Sequence, residues 1–181
     1  MHSPTPEEVT EFLQHSNWIE GERSEEAVSY ARLAWERAVQ IVLKQTRFFN
    51  VQTIKSIHFL LLRKLNPRIA GKFRNCDVMI GGERKRFISE ELIKQDLQER
   101  VINPMTLQSS HEWTYPKLAD FAAKQLHIAF EDIHPFEDGN GRVGRILYNI
   151  HRLNLGLPLH IIHEGEEQQE YYKWFQKGEE K

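Results

Sequence analysis

The chain reads as a mainly α-helical protein with a single domain and one protruding β-hairpin, and three observations point there. Its 181 residues, 40% apolar and 28% charged, suffice for one substantial core and not for two. Gly and Pro together supply 17 positions, a leaner share than the roughly 12% of average proteins. Apolar residues recur mostly at helical spacing, and only between Phe73 and Ile88 does that period change.

Taken in order, a first helix is expected over 6–19, with Gly21 as its C-terminal glycine. Ser24 then offers a capping hydroxyl, Glu25 and Glu26 supply first-turn acids, and Tyr30, Ala31, Ala34, Trp35, Ala38, Ile41 and Val42 follow at helical spacing. Ile54, Ile57, His58, Leu61, Leu62 and Leu65 set a third helix, which Asn66-Pro67 ends. Next, Asp77-Val78-Met79-Ile80 and Glu83-Arg84-Lys85-Arg86-Phe87-Ile88 flank Gly81-Gly82, the pattern of a hairpin. With no partner sheet it should stand out as a flap packed on helices. Ser89 caps a helix over 89–101, Pro116 opens one over 116–132, and another runs over 141–155, closed by Gly156 and Pro158. A last helix covers 166–176. No repeat, low-complexity tract or linker divides the chain.

Composition removes several functional classes. Lys plus Arg number 24 against 26 Asp plus Glu, a net charge of −2, so no direct nucleic-acid binding is expected. Cys76 is the one cysteine, which excludes an intramolecular disulfide and any multi-cysteine metal site and fits a reducing compartment. The longest charge-free apolar run, 56–62, falls far short of the ~18 residues of a membrane span. The first residues lack the basic and apolar regions of a secretory signal, so the expectation is a cytoplasmic protein with no membrane partner.

The chemistry concentrates in His134-Pro135-Phe136-Glu137-Asp138-Gly139-Asn140-Gly141-Arg142-Val143-Gly144-Arg145, between two expected helices. Gly139 and Gly141 can take φ > 0 without a Cβ penalty, letting backbone N–H groups converge on an anion where the next helix presents its positive end. Asn140 adds a donor. Arg142 and Arg145 stand three residues apart on the first turn, so both can grip further phosphate oxygens. Asp138 suits a hard cation such as Mg²⁺, which takes one or two carboxylates and fills other positions with substrate phosphates. His134, titrating near neutrality, suits a base that accepts a proton from an attacking hydroxyl. Taken singly, the histidine would be an ordinary polar residue, the aspartate a helix cap and the arginines a solvated face; their conjunction argues for a polyphosphate site. The run from Gly139 to Gly144 also spells G-x-G-x-x-G, with Glu164 about 20 residues on, but a dinucleotide fingerprint must leave a β-strand and here a helix precedes it.

These twelve residues match the H-P-F-x-D-G-N-G-R-x-x-R signature at every fixed position, and the chain resembles the Fic-domain proteins that carry it. Ile133, Asn149, Gly156 and Pro158, and Gly71, Phe73 and Arg74 ahead of the hairpin, extend the resemblance over nearly the whole chain. It implies a Fic-like helical domain and a nucleotidyltransferase that moves AMP from ATP to a Ser, Thr or Tyr hydroxyl of a target protein, with itself among the candidate targets. By that resemblance His134 is the general base and Asp138 the Mg²⁺ ligand. Gly139, Asn140, Gly141, Arg142 and Gly144 belong to ATP binding, Arg145 takes the γ-phosphate, and Tyr171 or Tyr172 lies beside the adenine. Val78, Met79, Ile80, Gly81 and Phe87 belong to the flap, which aligns a target segment by main-chain pairing. The flap departs from the family's Pro-rich form in carrying Glu83-Arg84-Lys85-Arg86.

Near the N-terminus, Ser16-Asn17-Trp18-Ile19-Glu20-Gly21 fits the family's S/T-x-x-x-E-G/N inhibitory motif. Ser16 and Glu20 are i and i+4 on one helical face, so both can point into the site. The resemblance thus divides the chain into an inhibitory helix, 1–22, and a catalytic core, 23–181. Two other functions use the same residues: removal of AMP, with Glu20 positioning a water, and a nucleotide-binding module without turnover. The intact His134 speaks against the last. The target and oligomeric state stay open, with room for a homo-oligomer.

Overall fold

Local side-chain caps start the first four described helices. The computed structural model describes residues 3–42, 49–80, 82–109 and 115–176. Thr5 opens α1 (Pro6–Trp18) with a capping box: its hydroxyl accepts from the Glu8 N–H at 3.2 Å, and its own N–H donates to Glu8 Oε2 at 2.7 Å. Gly21, at φ +74°, ends the turn after it. The Ser24 hydroxyl accepts from the Ala27 N–H at the start of α2 (Glu25–Val42). α3 (Val51–Leu62) begins three residues before the first expected apolar position because Asn50 Oδ1 accepts from the Thr53 N–H at 3.0 Å. It stops short of Leu65, the chain unwinding into turns ahead of Asn66-Pro67, where the residue before proline is driven from the α region.

The hairpin is present and short. β1 (Val78–Ile80) pairs antiparallel with β2 (Glu83–Lys85), Val78 facing Lys85 and Ile80 facing Glu83. Phe87 and Ile88 fall outside the strand, and Gly81 lies outside the described residues.

The single helix expected over 89–101 is longer and broken. α4 (Glu90–Leu97), capped by Ser89, opens into a wide π-turn (Gln98–Ile102) and continues as α5 (Asn103–Ser109). Pro104 has no N–H and its ring crowds the carbonyl four residues earlier, and the widened turn accommodates it. α6 (Pro116–Ile133), α7 (Asn140–Asn154) and α8 (Glu166–Tyr172) follow, and a 3₁₀ turn (Lys173–Phe175) replaces the last turn of the expected final helix. Among the described residues no helix is long and apolar enough to cross a membrane.

α7 is the axis of the fold. Residues 142–153 are buried without interruption, and the helix packs against α6, α2, α1, α3 and α5. Encirclement forces its polar residues to find partners inside. Asn149 brackets His160, its Oδ1 accepting from the backbone N–H at 2.7 Å and its Nδ2 donating to the carbonyl at 3.0 Å, which pins the chain after α7 to the helix.

Three buried histidines make this core acid-labile. Burial holds His58 at about 4, His127 at about 3 and His151 at about 4, so all three stay neutral when folded. The unfolded chain takes up these protons near the ordinary value of 6.5, so their stability contribution is present above that pH and is lost as pH falls toward 4. Thermal melts should lose up to about 1.4 kcal/mol per pH unit for each histidine below pH 6.5. A His151→Gln variant should show a shallower slope, and a flat profile in the parent protein between pH 6.5 and 4.5 would contradict this.

Candidate active site

α6 ends at the residue that the sequence marks as the base. His134 caps the helix in the left-handed conformation, φ 49° and ψ 62°, the one non-glycine residue with positive φ among those described. Such a conformation costs energy and persists only where surrounding groups enforce it. Buried Arg74 is one enforcer: its backbone N–H donates to the Pro135 carbonyl at 2.9 Å and its Nε to the His134 carbonyl at 2.8 Å. Arg74 Nη1 also donates to the carbonyls of Cys76 and Arg86, so one guanidinium ties His134 to both ends of the hairpin. Lys85 of β2 adds an ion pair to Asp132 at 3.2 Å. Val78 is buried, whereas Met79 and Phe87 are exposed and free to meet another surface. Burial, with the charges of Arg74 and Lys85, lowers His134 to about 4, so it stands neutral. Its Nδ1 is inaccessible to solvent, leaving Nε2 as the nitrogen that can meet a substrate.

The loop from His134 to α7 is held from beneath by His58. The His58 ring lies flat on Phe136, centroids 3.7 Å apart and planes 3° from parallel. Its Nδ1 accepts from the Gly71 N–H at 2.9 Å, which places the proton on Nε2, donating to the Asp138 carbonyl at 2.9 Å. Gly139 is the N-cap of α7 at φ +81°, where a Cβ would stand 3.1 Å from Leu62. Gly141 is helical, and its missing Cβ serves close approach instead: that atom would lie 2.2 Å from Glu20 Oε1. Asn140 is buried, with both side-chain groups engaged by the Phe136 backbone, Oδ1 accepting at 3.0 Å and Nδ2 donating at 2.9 Å. It shapes the loop, and what it offers an anion here is its backbone N–H. Asp138 is 57% exposed; Oδ1 accepts from the Gly139 N–H at 2.6 Å, and Oδ2 faces Arg142 Nη2 at 3.6 Å. One exposed carboxylate beside a helix N-terminus fits Mg²⁺, which keeps several waters and shares its other positions with phosphates. The Nε of Arg142 is buried without a hydrogen-bond partner.

Arg145, 1% exposed, joins this loop to the N-terminal motif. Nε donates to Ser16 Oγ at 3.0 Å, and Nη2 to the Ser16 carbonyl at 2.8 Å and to Glu20 Oε1 at 2.7 Å. Nη1 donates to the Tyr171 hydroxyl at 3.3 Å, which passes its own proton toward His127 Nε2 at 3.0 Å. Glu20 therefore sits over the N-terminus of α7 beside Gly141. The two tyrosines expected beside adenine are elsewhere engaged. Tyr171 is buried against His127 as a support for Arg145, and Tyr172 is exposed and accepts from Gln168.

One residue of this site went unmarked in the sequence. Glu131 lies three positions before His134, its side chain 13% exposed, with Oε2 3.8 Å from His134 Nδ1 and Oε1 buried without a hydrogen-bond partner. Burial lifts it to about 8 against the opposing charge of Arg145. A Cβ on Gly144 would lie 2.3 Å from Glu131 Oε1, so that glycine leaves room for the carboxyl. Its i, i+3 spacing to His134 was the available signal.

The model of the Fic/DOC family matches residues 48–151. The chain belongs to that family. It is 31% identical over 130 residues to the protein adenylyltransferase Fic of Drosophila mojavensis, covering 72% of this chain and 24% of that protein. The namesake from Aedes aegypti is 29% identical over 139 residues, covering 77% and 26%. The chain thus spans about a quarter of the length of these curated relatives. Among solved structures, a Fic-domain-containing signaling protein from Bacteroides thetaiotaomicron superposes with a TM-score of 0.73 at 24% identity, covering 91% of this chain and 69% of that one. Fic-1 from C. elegans gives 0.69 at 20% identity, covering 96% and 57%. The mainly helical fold with its hairpin is the one these share.

Glu131 provides a test of the site's electrostatics. The folded protein keeps its proton up to about pH 8, whereas the unfolded chain releases it near 4.5, so Glu131 costs stability increasingly as pH rises between those values. A Glu131→Gln variant should gain melting temperature on the parent protein steadily from pH 5 to pH 8. A difference independent of pH would show that the carboxyl ionises normally.

Proposed function

We propose that this protein is a Mg²⁺- and ATP-dependent adenylyltransferase that modifies protein hydroxyls and is restrained by its own Glu20. The observation that carries this reading is the convergence at the N-terminus of α7 of His134, Asp138, Arg142, Arg145 and Glu20. The first-turn amides of residues 140–142 and the helix dipole favour phosphate there. The target hydroxyl attacks the α-phosphorus, the bond to the oxygen bridging toward the β-phosphate breaks, pyrophosphate leaves, and the hydroxyl proton passes to Nε2 of His134. A neutral imidazole is needed for that, and the negative charge of bound phosphates raises its basicity. Mg²⁺, held through Asp138, supplies charge neutralisation for the phosphates. Arg142 and Arg145 supply further cationic donors. The flap supports the acceptor side, since Arg74 couples it to the backbone of His134 and its outer residues are exposed. The target is a Ser, Thr or Tyr of a protein, a second copy included, and the compartment in this reading is cytoplasmic.

Glu20 restrains the enzyme by occupying the guanidinium that the terminal phosphate requires. A hydrogen bond to a charged group is worth about 1.5–3 kcal/mol, enough to displace a competing equilibrium by one to two orders of magnitude. With α-labelled ATP, Glu20→Gly should raise label on protein at least about tenfold. His134→Ala should lower transfer by ~10²–10⁴ while ATP affinity stays within a few-fold. Arg145→Ala should not activate, because it removes the anchor of the restraint and the phosphate ligand together. Unchanged labelling in a folded Glu20→Gly sample, or activation by Arg145→Ala alone, would refute the restraint; equal loss of binding and transfer in His134→Ala would refute the base.

A further inference from the structure

Away from the nucleotide site, carboxylates and imidazoles meet on the outer face where α1 packs against the chain that follows α7. Glu11 and His15 stand one turn apart on α1 and share a face. His163 approaches from the segment before α8, and one ligand atom from each of these three residues lies within 4.8 Å of the other two. Glu167 fixes the His163 ring from behind: its Oε2 accepts the His163 backbone N–H at 2.9 Å and lies 2.7 Å from Nδ1. On the other side of the ring Nε2 lies 3.1 Å from Glu11 Oε1, so the imidazole stands between two carboxylates. Beside them the His15 ring stands edge-on, centroids 4.6 Å apart, its Nδ1 taking a 3.3 Å bond from the Glu164 N–H.

We infer that Glu11, His15 and His163 form a site for a divalent cation of the Zn²⁺ class, with Glu167 orienting His163. Two imidazole nitrogens and one carboxylate oxygen suit a borderline ion, whereas Mg²⁺ selects oxygen. A carboxylate behind a histidine is the usual way in which a metal-binding imidazole has its free nitrogen aimed. Around a tetrahedral ion with bonds of about 2.1 Å the donors stand about 3.4 Å apart. The approach asks only for rotation of side chains that are half exposed, and water takes the fourth position. A proton on Nε2 fills the same place when no metal is bound.

The ligands come from two segments, so the ion staples α1 to the chain before α8. α1 carries Ser16, and Glu20 lies just beyond its end, so the staple holds the restraint against Arg145; this consequence rests on the reading of Glu20 given above. The 181-residue chain, stripped of metal, is titrated with Zn²⁺ by calorimetry, and amide hydrogen exchange is followed along α1. One ion per chain should bind with a Kd in the micromolar range or tighter, and the α1 amides should exchange more slowly. Glu11→Ala at an exposed position and His163→Ala at a half-buried one should each weaken binding at least tenfold, Glu167→Gln should weaken it about tenfold, and Asp138→Ala should leave it unchanged. Absence of binding, binding that survives both alanine variants, or binding lost in Asp138→Ala would overturn the site, and binding without protection of α1 would overturn the staple. None of these readouts uses AMP transfer, so failure of the adenylylation reading would show in the labelling experiment and not here.

Discussion

A guanidinium removed from water must find its hydrogen-bond partners inside the protein, and Arg145 finds them in three separate parts of the chain. α7 supplies the arginine, α1 and the turn after it supply Ser16 and Glu20, and α8 supplies Tyr171. Leaving such a charge buried and unpaired is strongly destabilising, so the N-terminal helix docks where the arginine needs it. Ile19 reinforces the docking by packing with Ile162 and Tyr171. The same cation stands one helical turn from Gly141, at the end of α7 best suited to phosphate. In the proposed function, structural need and nucleotide chemistry compete for this one group, which would give restraint a simple physical form.

A second buried arginine does comparable work beside the hairpin. Arg74 holds His134 in a left-handed conformation and joins it to the hairpin through the carbonyls of Cys76 and Arg86. A movement of the hairpin is therefore felt at His134. His58 braces the same loop from α3, with its ring on Phe136 and its two nitrogens bonded to Gly71 and Asp138. Rigid elements on three sides of a short loop are what a site needs to hold reacting groups in register.

The sequence discloses the helices through periodicity, and the candidate site through a single dense motif. Its failures have local causes. The helix expected over 89–101 does not end there, because a π-turn carries the chain past Pro104 into α5. His58 reads as one more residue on the inner face of α3, because nothing along the chain tells that its ring will meet a loop 80 residues away. The sequence is silent on the partners of Asn140 and Tyr171, whose polar groups tertiary packing engages with Phe136, Arg145 and His127. Glu131 is invisible for a similar reason, since an acid on a helix reads as solvated until the fold buries it. Ser16 and Glu20 were legible because helical geometry alone puts i and i+4 on one face, and Arg145 meets both.

The competition for Arg145 is tested most directly by comparing affinities for ATP and ADP in the parent protein and in Glu20→Gly. If Glu20 keeps the terminal phosphate from its arginine, the parent should bind the two nucleotides about equally, and the variant should prefer ATP by roughly tenfold or more. An unchanged ratio of the two affinities on removal of Glu20 would contradict the account.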